Sequence, residues 1–344
     1  MIDVENLRVN FESKVLSSEK TILIPHKIAD FDAIGSTIGL SLAVKKLKRI
    51  PIIIVDDKAY ELDRGVQAII KEAREDVQIT TKSRYMNQAS PSDLFVMSDV
   101  NKTYLTSVSD QMQDPERVII IDHHEPDDKT VDSNYKYIDS KVSSASEVVV
   151  KLLNKMKVKI PPNIANYLLA GIYLDTNKLT KNVTSETLLI ASKLIEYGAD
   201  TNVVMELFSE DFESDRRVQE LVNKTKMLTY KIALILASEK EEYTTKELAR
   251  SADYGLTFGV DASIAVGKID DNIIGVSARS KEKVDVGELM HQLGGGGNQY
   301  SGAAKIQGET IEEVGKKLEL VLKPSCYISK GNPSKSWKNS PNML

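Results

Sequence analysis

The chain has 344 residues, 41% hydrophobic and 28% charged, which excludes a mostly disordered protein, since such chains lack the apolar surface to offset chain entropy. Its 45 basic and 50 acidic residues leave a net charge of −5. That argues against a broad basic surface for long nucleic acid, but not against a small anion held in a cleft by a few cations.

No apolar run approaches the roughly 20 residues needed to span a bilayer. The polar, acidic N-terminus does not read as a signal peptide. A single cysteine, Cys326, excludes an internal disulfide and a thiolate zinc site. The expected location is cytoplasmic, with no membrane partner.

In chain order, residues 21–25 read as a buried strand ending at His26, 33–47 as a helix, 51–55 as a strand and 65–73 as a helix. Residues 94–97 and 118–121 are two further short apolar runs, each followed closely by aspartate. Short continuous runs of Ile, Val and Leu separated by helices predict a parallel sheet with covered faces. Residues 1–190 are therefore expected to form an α/β domain, whose ligands bind beyond the carboxyl ends of the strands. His26, Asp99 and Asp122 fall at such ends.

Residues 185–230 read as charged helices, with 191–230 as a helical connector. Strands at 232–237, 262–266 and 273–278, with helices at 245–251, 286–293 and 311–322, predict a smaller α+β domain over 231–323. Residues 324–344 are polar with proline and glycine, and are expected to be disordered.

Three of the four histidines lie near aspartates at strand ends. In the first cluster His26 is followed by Asp30 and Asp32, then by Gly35 and Ser36 at the opening of a helix. These groups can converge from one strand-to-helix loop; the plainer reading is that one aspartate caps the helix and His26 is merely exposed. The second cluster is Asp122-His123-His124, directly after a buried strand. Packing does not explain three such groups there, because each needs a partner, and neutral imidazole is a common metal ligand. Asp99 and Asp175 each follow an apolar run.

The candidate ligands are His26, Asp30, Asp32, Asp99, His123 and Asp175. Four carboxylates and two imidazoles without cysteine suit Mn²⁺, and four negative charges balance two divalent ions. Two metals about 3.5–4 Å apart can hold a nucleophilic water and the phosphate it attacks.

The order His26-x-x-x-Asp30-x-Asp32-Ala-x-Gly-Ser, a strand-terminal Asp99, Asp122-His123-His124 and a strand-terminal Asp175-Thr176 resembles the DHH phosphoesterase superfamily. The resemblance implies one Mn²⁺ held by His26, Asp30 and Asp99, and a second by Asp32, Asp99, His123 and Asp175, with Asp99 bridging. It implies that His124 faces the substrate phosphate and that the buried Asp122 supports the site without ligating. Residues 142–148 resemble the family's Ser-Ser-x-Ser-Glu helix start, where Ser143, Ser144 and Glu147 read as a helix cap.

Residues 275–281 and the run Gly294-Gly295-Gly296-Gly297-Asn298 resemble the DHH-associated C-terminal substrate-binding domain. Arg279 offers a planar fork for phosphate, and the glycines let backbone amides approach an anion. Substrate-binding roles are thus expected for Arg279, Gly295, Gly296, Gly297 and Asn298, the last standing where the family has histidine.

Further features of 197–201, 260–264 and 275–285 resemble the catalytic module of bacterial cyclic-di-AMP phosphodiesterases. Residue 1 lies close to the module, so a stand-alone form is expected. The implied activity is Mn²⁺-dependent hydrolysis of cyclic di-AMP or the linear dinucleotide pApA. The alternatives are a nanoRNase acting on short RNA and on 3′-phosphoadenosine 5′-phosphate, or a non-catalytic nucleotide-binding regulator. The expected partner is a small nucleotide or dinucleotide; assembly as a homodimer stays open.

Overall fold

In the computed structural model, the apolar runs at 21–25, 51–55, 94–97 and 118–121 are strands, as expected. The structure describes residues 3–90, 92–209, 212–228, 231–281 and 283–322; the tail expected to be disordered, 324–344, lies outside them. The chain forms two compact units, Met1–Ser209 and Glu210–Leu344.

The first unit runs α1 (Val4–Ser17), β1 (Thr21–Ile24), α2 (Phe31–Lys46), β2 (Pro51–Val55), α3 (Arg64–Ala73), β3 (Gln78–Thr81), α4 (Lys82–Met86), β4 (Leu94–Ser98), β5 (Val118–Asp122) and β6 (Tyr135–Ile138). It closes with α5 (Ala145–Lys155), α6 (Pro162–Asp175), α7 (Ser185–Glu196) and α8 (Thr201–Leu207). Its sheet has the order β3-β2-β1-β4-β5-β6, and every pairing is parallel.

Strand side chains alternate between two cores. Leu23, Ile53, Val96 and Ile119 pack into one, with helices α2, α5 and α6. Ile22, Ile54, Met97 and Ile120 pack into the other, beneath Tyr85, Val108 and Met112. Burial on both faces is why these strands read as unbroken apolar runs. Strand order reverses between the paired β1 and β4, and such a switch point opens a crevice beyond the strand ends.

One expectation is corrected here. Asp175 does not end a strand; it is the last residue of helix α6. The helix starts at a proline and is buried along Ile164, Ala165 and 167–172, so it shows no polar face to betray its period. It stops because Asn177, Lys178 and Leu179 turn left-handed, at φ 46°, 59° and 63°. Thr176 Oγ1 accepts from Leu179 N at 2.9 Å and holds that turn.

The second unit contains α9 (Phe212–Val222), β7 (Thr225–Leu228), β8 (Ile232–Leu236), α10 (Thr245–Gly255), β9 (Ala262–Asp270), β10 (Ile273–Ser280), α11 (Val286–Gln292), β11 (Gly296–Gly297), β12 (Ser301–Gln307) and α12 (Ile311–Val321). Its mixed sheet has the order β11-β12-β10-β9-β8-β7, parallel only between β8 and β9. Capping boxes start α10 at Thr244 with Glu247 and α12 at Thr310 with Glu313. The expected connector is therefore shared: α7 and α8 belong to the first unit and α9 to the second. Within it, β7 is a strand rather than helix, because Thr225–Leu228 pairs antiparallel with β8.

Candidate metal centre

His26 lies just past β1, Asp99 just past β4, and Asp122 ends β5 with His123 and His124 following. These three strands are neighbours in the sheet, so their ends converge at the switch point. Asp30 and Asp32 arrive on the N-terminus of α2, and Asp175 arrives on the C-terminus of α6.

The six expected ligands gather in two groups. Atoms of His26, Asp30 and Asp99 lie within 4.8 Å of one another, as do atoms of Asp32, His123 and Asp175. Asp99 joins them. Its Oδ2 is 3.6 Å from His26 Nε2, and its Oδ1 is 3.2 Å from His123 Nε2. His123 Nε2 is in turn 3.4 Å from Asp175 Oδ2. Asp99 is 3% exposed and holds a left-handed backbone at φ 59°, fixed by its N–H donating to Ile121 O at 3.0 Å. Such strain persists where the surroundings over-determine it, and is concentrated at functional sites.

The two oxygens of Asp30 face different partners. Its Oδ1 accepts from the amides of Asp32 and Ala33 at 3.0 Å and caps α2. Its Oδ2 lies 3.7 Å from His26 Nε2. Asp32 is oriented by the helix start at 142–148: its Oδ2 accepts from Ala145 N at 2.6 Å and its Oδ1 from Ser146 N at 2.8 Å. The N-terminus of α5 thus steadies a buried carboxylate. Ser144 caps that helix through Glu147 N at 3.1 Å, and Ser143 Oγ donates to Glu147 Oε2 at 2.7 Å.

Gly171 was missed by the motif reading. A methyl group there would sit 2.6 Å from Asp32 Oδ1 and 2.4 Å from Ser146 Oγ, so α6 must present bare backbone to the carboxylate. The available signal was its place one helical turn before Asp175.

Asp122 is fully buried. Its Oδ1 accepts from His123 N at 2.8 Å and His124 N at 3.2 Å, and lies 2.8 Å from His124 Nδ1. Asn101, another residue without a sequence signal, donates from Nδ2 to His124 O at 3.1 Å. His124 lines a cavity of about 470 Å³ together with His26, Asp30, Asp99, Asp122 and Asp175.

The charges compensate one another tightly. Burial opposes the charged form of His26, but Asp30 and Asp99 push its imidazole up to about 10. His123 is likewise pushed up to about 9, chiefly by Asp99 against the cost of burial. The hydrogen bond to the Asp122 carboxylate raises His124. Burial resists ionisation of Asp99, yet His123 and His26 hold it down to about 2. Burial and the Asp99 charge push Asp32 up to about 7. Burial, then Asp32 and Asp99, raise Asp175 well above the carboxylate range.

The donor set fits divalent cations. Asp99 Oδ1 and Asp175 Oδ2, on two of the expected ligands, are buried and accept no hydrogen bond. Converging carboxylates with open lone pairs and imidazole nitrogens, without sulfur, suit divalent metal ions.

In the second unit Arg279 lies on β10, opposite Ser301 of β12. Its Nε donates to Asp253 Oδ1 and its Nη1 to Ala278 O, both at 3.0 Å. The glycine run is more ordered than a loop: Gly296 and Gly297 form β11, paired with Ala303 and Gly302. A methyl group at Gly295 would lie 2.1 Å from Ala303 O, so close strand approach itself requires glycine there. Asn298 Oδ1 accepts from Tyr300 N at 2.8 Å and Ser301 N at 2.9 Å, closing the β11–β12 turn.

The DHH family N-terminal domain matches residues 20–172, and the DHHA1 domain matches residues 224–323. The chain carries both domains, in that order. Among its relatives, the cyclic-di-AMP phosphodiesterase GdpP of Geobacillus thermodenitrificans is 29% identical over 327 residues, covering 93% of this chain and 49% of that protein. The cyclic-di-AMP phosphodiesterase PdeA of Listeria monocytogenes is 28% identical over 312 residues, covering 88% and 47%. The DHH–DHHA1 chain thus spans about half the length of these curated relatives. An exopolyphosphatase-related protein from Bacteroides fragilis shares the fold, with a TM-score of 0.76 at 23% identity over 92% of this chain and 96% of that one. Among the described residues no helix is long and apolar enough to cross a membrane.

Proposed function

We propose that this DHH–DHHA1 chain is a Mn²⁺-dependent phosphodiesterase that hydrolyses cyclic di-AMP to pApA, and pApA to AMP. The observation that carries the reading is the pair of ligand groups joined through Asp99. His26, Asp30 and Asp99 would hold one ion, and Asp32, Asp99, His123 and Asp175 the other. When bound, two divalent ions supply electrophilic stabilisation of the phosphoryl oxygens and lower the pKa of a water.

The protein's own groups do the rest. Asp122 fixes the His124 ring through Nδ1, which directs Nε2 away from that carboxylate, to meet a phosphate oxygen. The neighbouring Asp122 keeps His124 protonated to a higher pH, so the imidazole donates to the developing negative charge. In the DHHA1 unit, Arg279 would bind a substrate phosphate through its guanidinium and Asn298 through its Nδ2, with Gly295, Gly296 and Gly297 letting the phosphate come close to the main chain, since the Gly295 amide itself donates to Met290 O at 2.8 Å. Each turnover adds one water across one P–O bond: the first opens the ring, and the second splits pApA into two AMP. The names of the relatives GdpP and PdeA support the choice of cyclic di-AMP.

The test offers purified protein with Mn²⁺ to cyclic di-AMP, pApA, cyclic di-GMP and 3′-phosphoadenosine 5′-phosphate in parallel, with product analysis. Release of pApA or AMP from the adenine dinucleotides supports the reading. Turnover confined to 3′-phosphoadenosine 5′-phosphate, or none at all, defeats it.

A further inference from the structure

The cavity at the metal centre is lined by apolar side chains as well as by the carboxylates, imidazoles and Lys27, Asn101 and Lys102. Ile28 sits in the turn between His26 and Asp30 and is 80% exposed. Leu105, 43% exposed, faces the same cavity. Val100, buried beside Asp99, adds apolar surface to the lining. Single exposed aliphatic residues are ordinary on protein surfaces. These two instead line the same cavity as the carboxylate–imidazole cluster.

This lining is built rather than incidental. Lys27 N donates to Leu105 O at 2.7 Å, and Lys27 Nζ donates to Tyr104 O at 2.9 Å. The loop after β1 is thereby tied to the loop after β4. Ile28 cannot drift without moving His26 and Asp30, two residues away on either side.

We infer that Ile28 and Leu105 form a shelf that seats the nucleobase attached to the phosphate held at the metal centre. The inference rests on the phosphoesterase reading above and narrows it. A base has flat apolar faces, and a cavity of about 470 Å³ is within the range that holds an organic ligand of that size. A purely inorganic phosphate chain would leave both side chains in water and gain nothing from them. The shelf therefore selects nucleotidyl esters over inorganic polyphosphate.

The test is calorimetric titration of the full chain, in excess Mn²⁺, with AMP and with ribose 5-phosphate, which differ by the base alone. The variant is the double substitution Ile28→Thr with Leu105→Gln, at two exposed positions outside the core. The wild type should bind AMP at least about tenfold tighter than ribose 5-phosphate, as expected for burying part of two aliphatic side chains. The variant should lose about tenfold for AMP and nothing for ribose 5-phosphate. Equal affinities in the wild type, or equal losses for both ligands in the variant, would overturn the shelf and leave the phosphoesterase reading intact. If neither ligand binds the Mn²⁺-loaded wild type, both readings fall.

Discussion

Asp99 Oδ1 lies 3.2 Å from His123 Nε2, while its other oxygen faces His26 at 3.6 Å. One carboxylate thus touches both ligand groups. Asn is among the few residues that tolerate the left-handed backbone Asp99 adopts, so Asp99→Asn keeps the fold and removes the charge. Activity should fall about a thousandfold or more, because both the nucleophile and the charge clamp are disturbed. Bound Mn²⁺, counted by atomic absorption, should drop below two ions per chain. Normal turnover with two ions bound would sink the assignment.

Asp122 supports the site through three contacts on Oδ1. Asp122→Asn retains an acceptor there but loses the charge that holds the His124 imidazole. A milder loss follows, about 10–100-fold in kcat, as expected of a group that orients a functional residue. Mn²⁺ stoichiometry should stay unchanged. Loss of a metal ion in this variant would make Asp122 a ligand instead.

Gly171→Ala places a methyl group against Asp32 Oδ1 and Ser146 Oγ. The backbone there is helical, where alanine is intrinsically favoured by roughly 1 kcal/mol, so propensity alone predicts stabilisation. Overpacking of a buried contact costs about 1–3 kcal/mol and should win. Thermal unfolding should shift down, and Mn²⁺ affinity should fall because Asp32 is displaced from the Ala145 and Ser146 amides. A more stable, fully active Gly171→Ala protein would show that α6 has room to relax.

The metal-free protein should lose stability as pH rises. His26 and His123 have folded pKa values of about 10 and about 9, above the ordinary 6.5. Their stabilising contribution is present below pH 6.5 and is lost as pH climbs through 9 and 10. Asp32, raised from 3.8 to about 7, acts in the same direction: its contribution is lost as pH rises through 7. In EDTA, the midpoint of thermal unfolding should fall by about 5 °C or more between pH 6 and 9.5. Mn²⁺ should flatten that slope, because cations then replace the protons that balance the carboxylates. A rising midpoint in EDTA would show that these groups do not carry the balance.

Strands β1, β2, β4 and β5 were legible because burial on both faces leaves each an unbroken apolar run. Edge strands β3 and β6 were not: Gln78–Thr81 and Tyr135–Ile138 are half-exposed and carry no such run. The carboxylate–imidazole cluster was legible because ionisable residues straight after buried strands have few structural explanations. Asp175 was found by that rule but placed on the wrong element, since an all-round buried helix hides its period. The helix start at 142–148 was legible, but the reach of its Ala145 and Ser146 amides to Asp32 was not, because main-chain contacts leave no mark in a sequence. Likewise the pairing of Gly296 and Gly297 is decided by β12, not by side chains they lack.

Asn298 poses the sharpest question of role. Its Oδ1 closes the β11–β12 turn through Tyr300 N and Ser301 N, a task that needs only an acceptor. Phosphate binding needs the other end of the amide, the Nδ2 donor. Asn298→Asp separates the two, because it keeps the acceptor and exchanges the donor for a negative charge. Stability should then stay within about 0.5 kcal/mol, since both turn bonds survive. Asn298→Ala, which removes the acceptor, should cost about 1 kcal/mol. If Nδ2 also grips the substrate, Asn298→Asp should raise KM for pApA about tenfold with kcat within about twofold, because a lost and now repulsive contact weakens ground state and transition state alike. Steady-state kinetics and thermal melts on the same three proteins decide it. An unchanged KM in Asn298→Asp, alongside the stability loss in Asn298→Ala, would leave residue 298 as a turn former only, and phosphate binding in the second unit would then rest on Arg279.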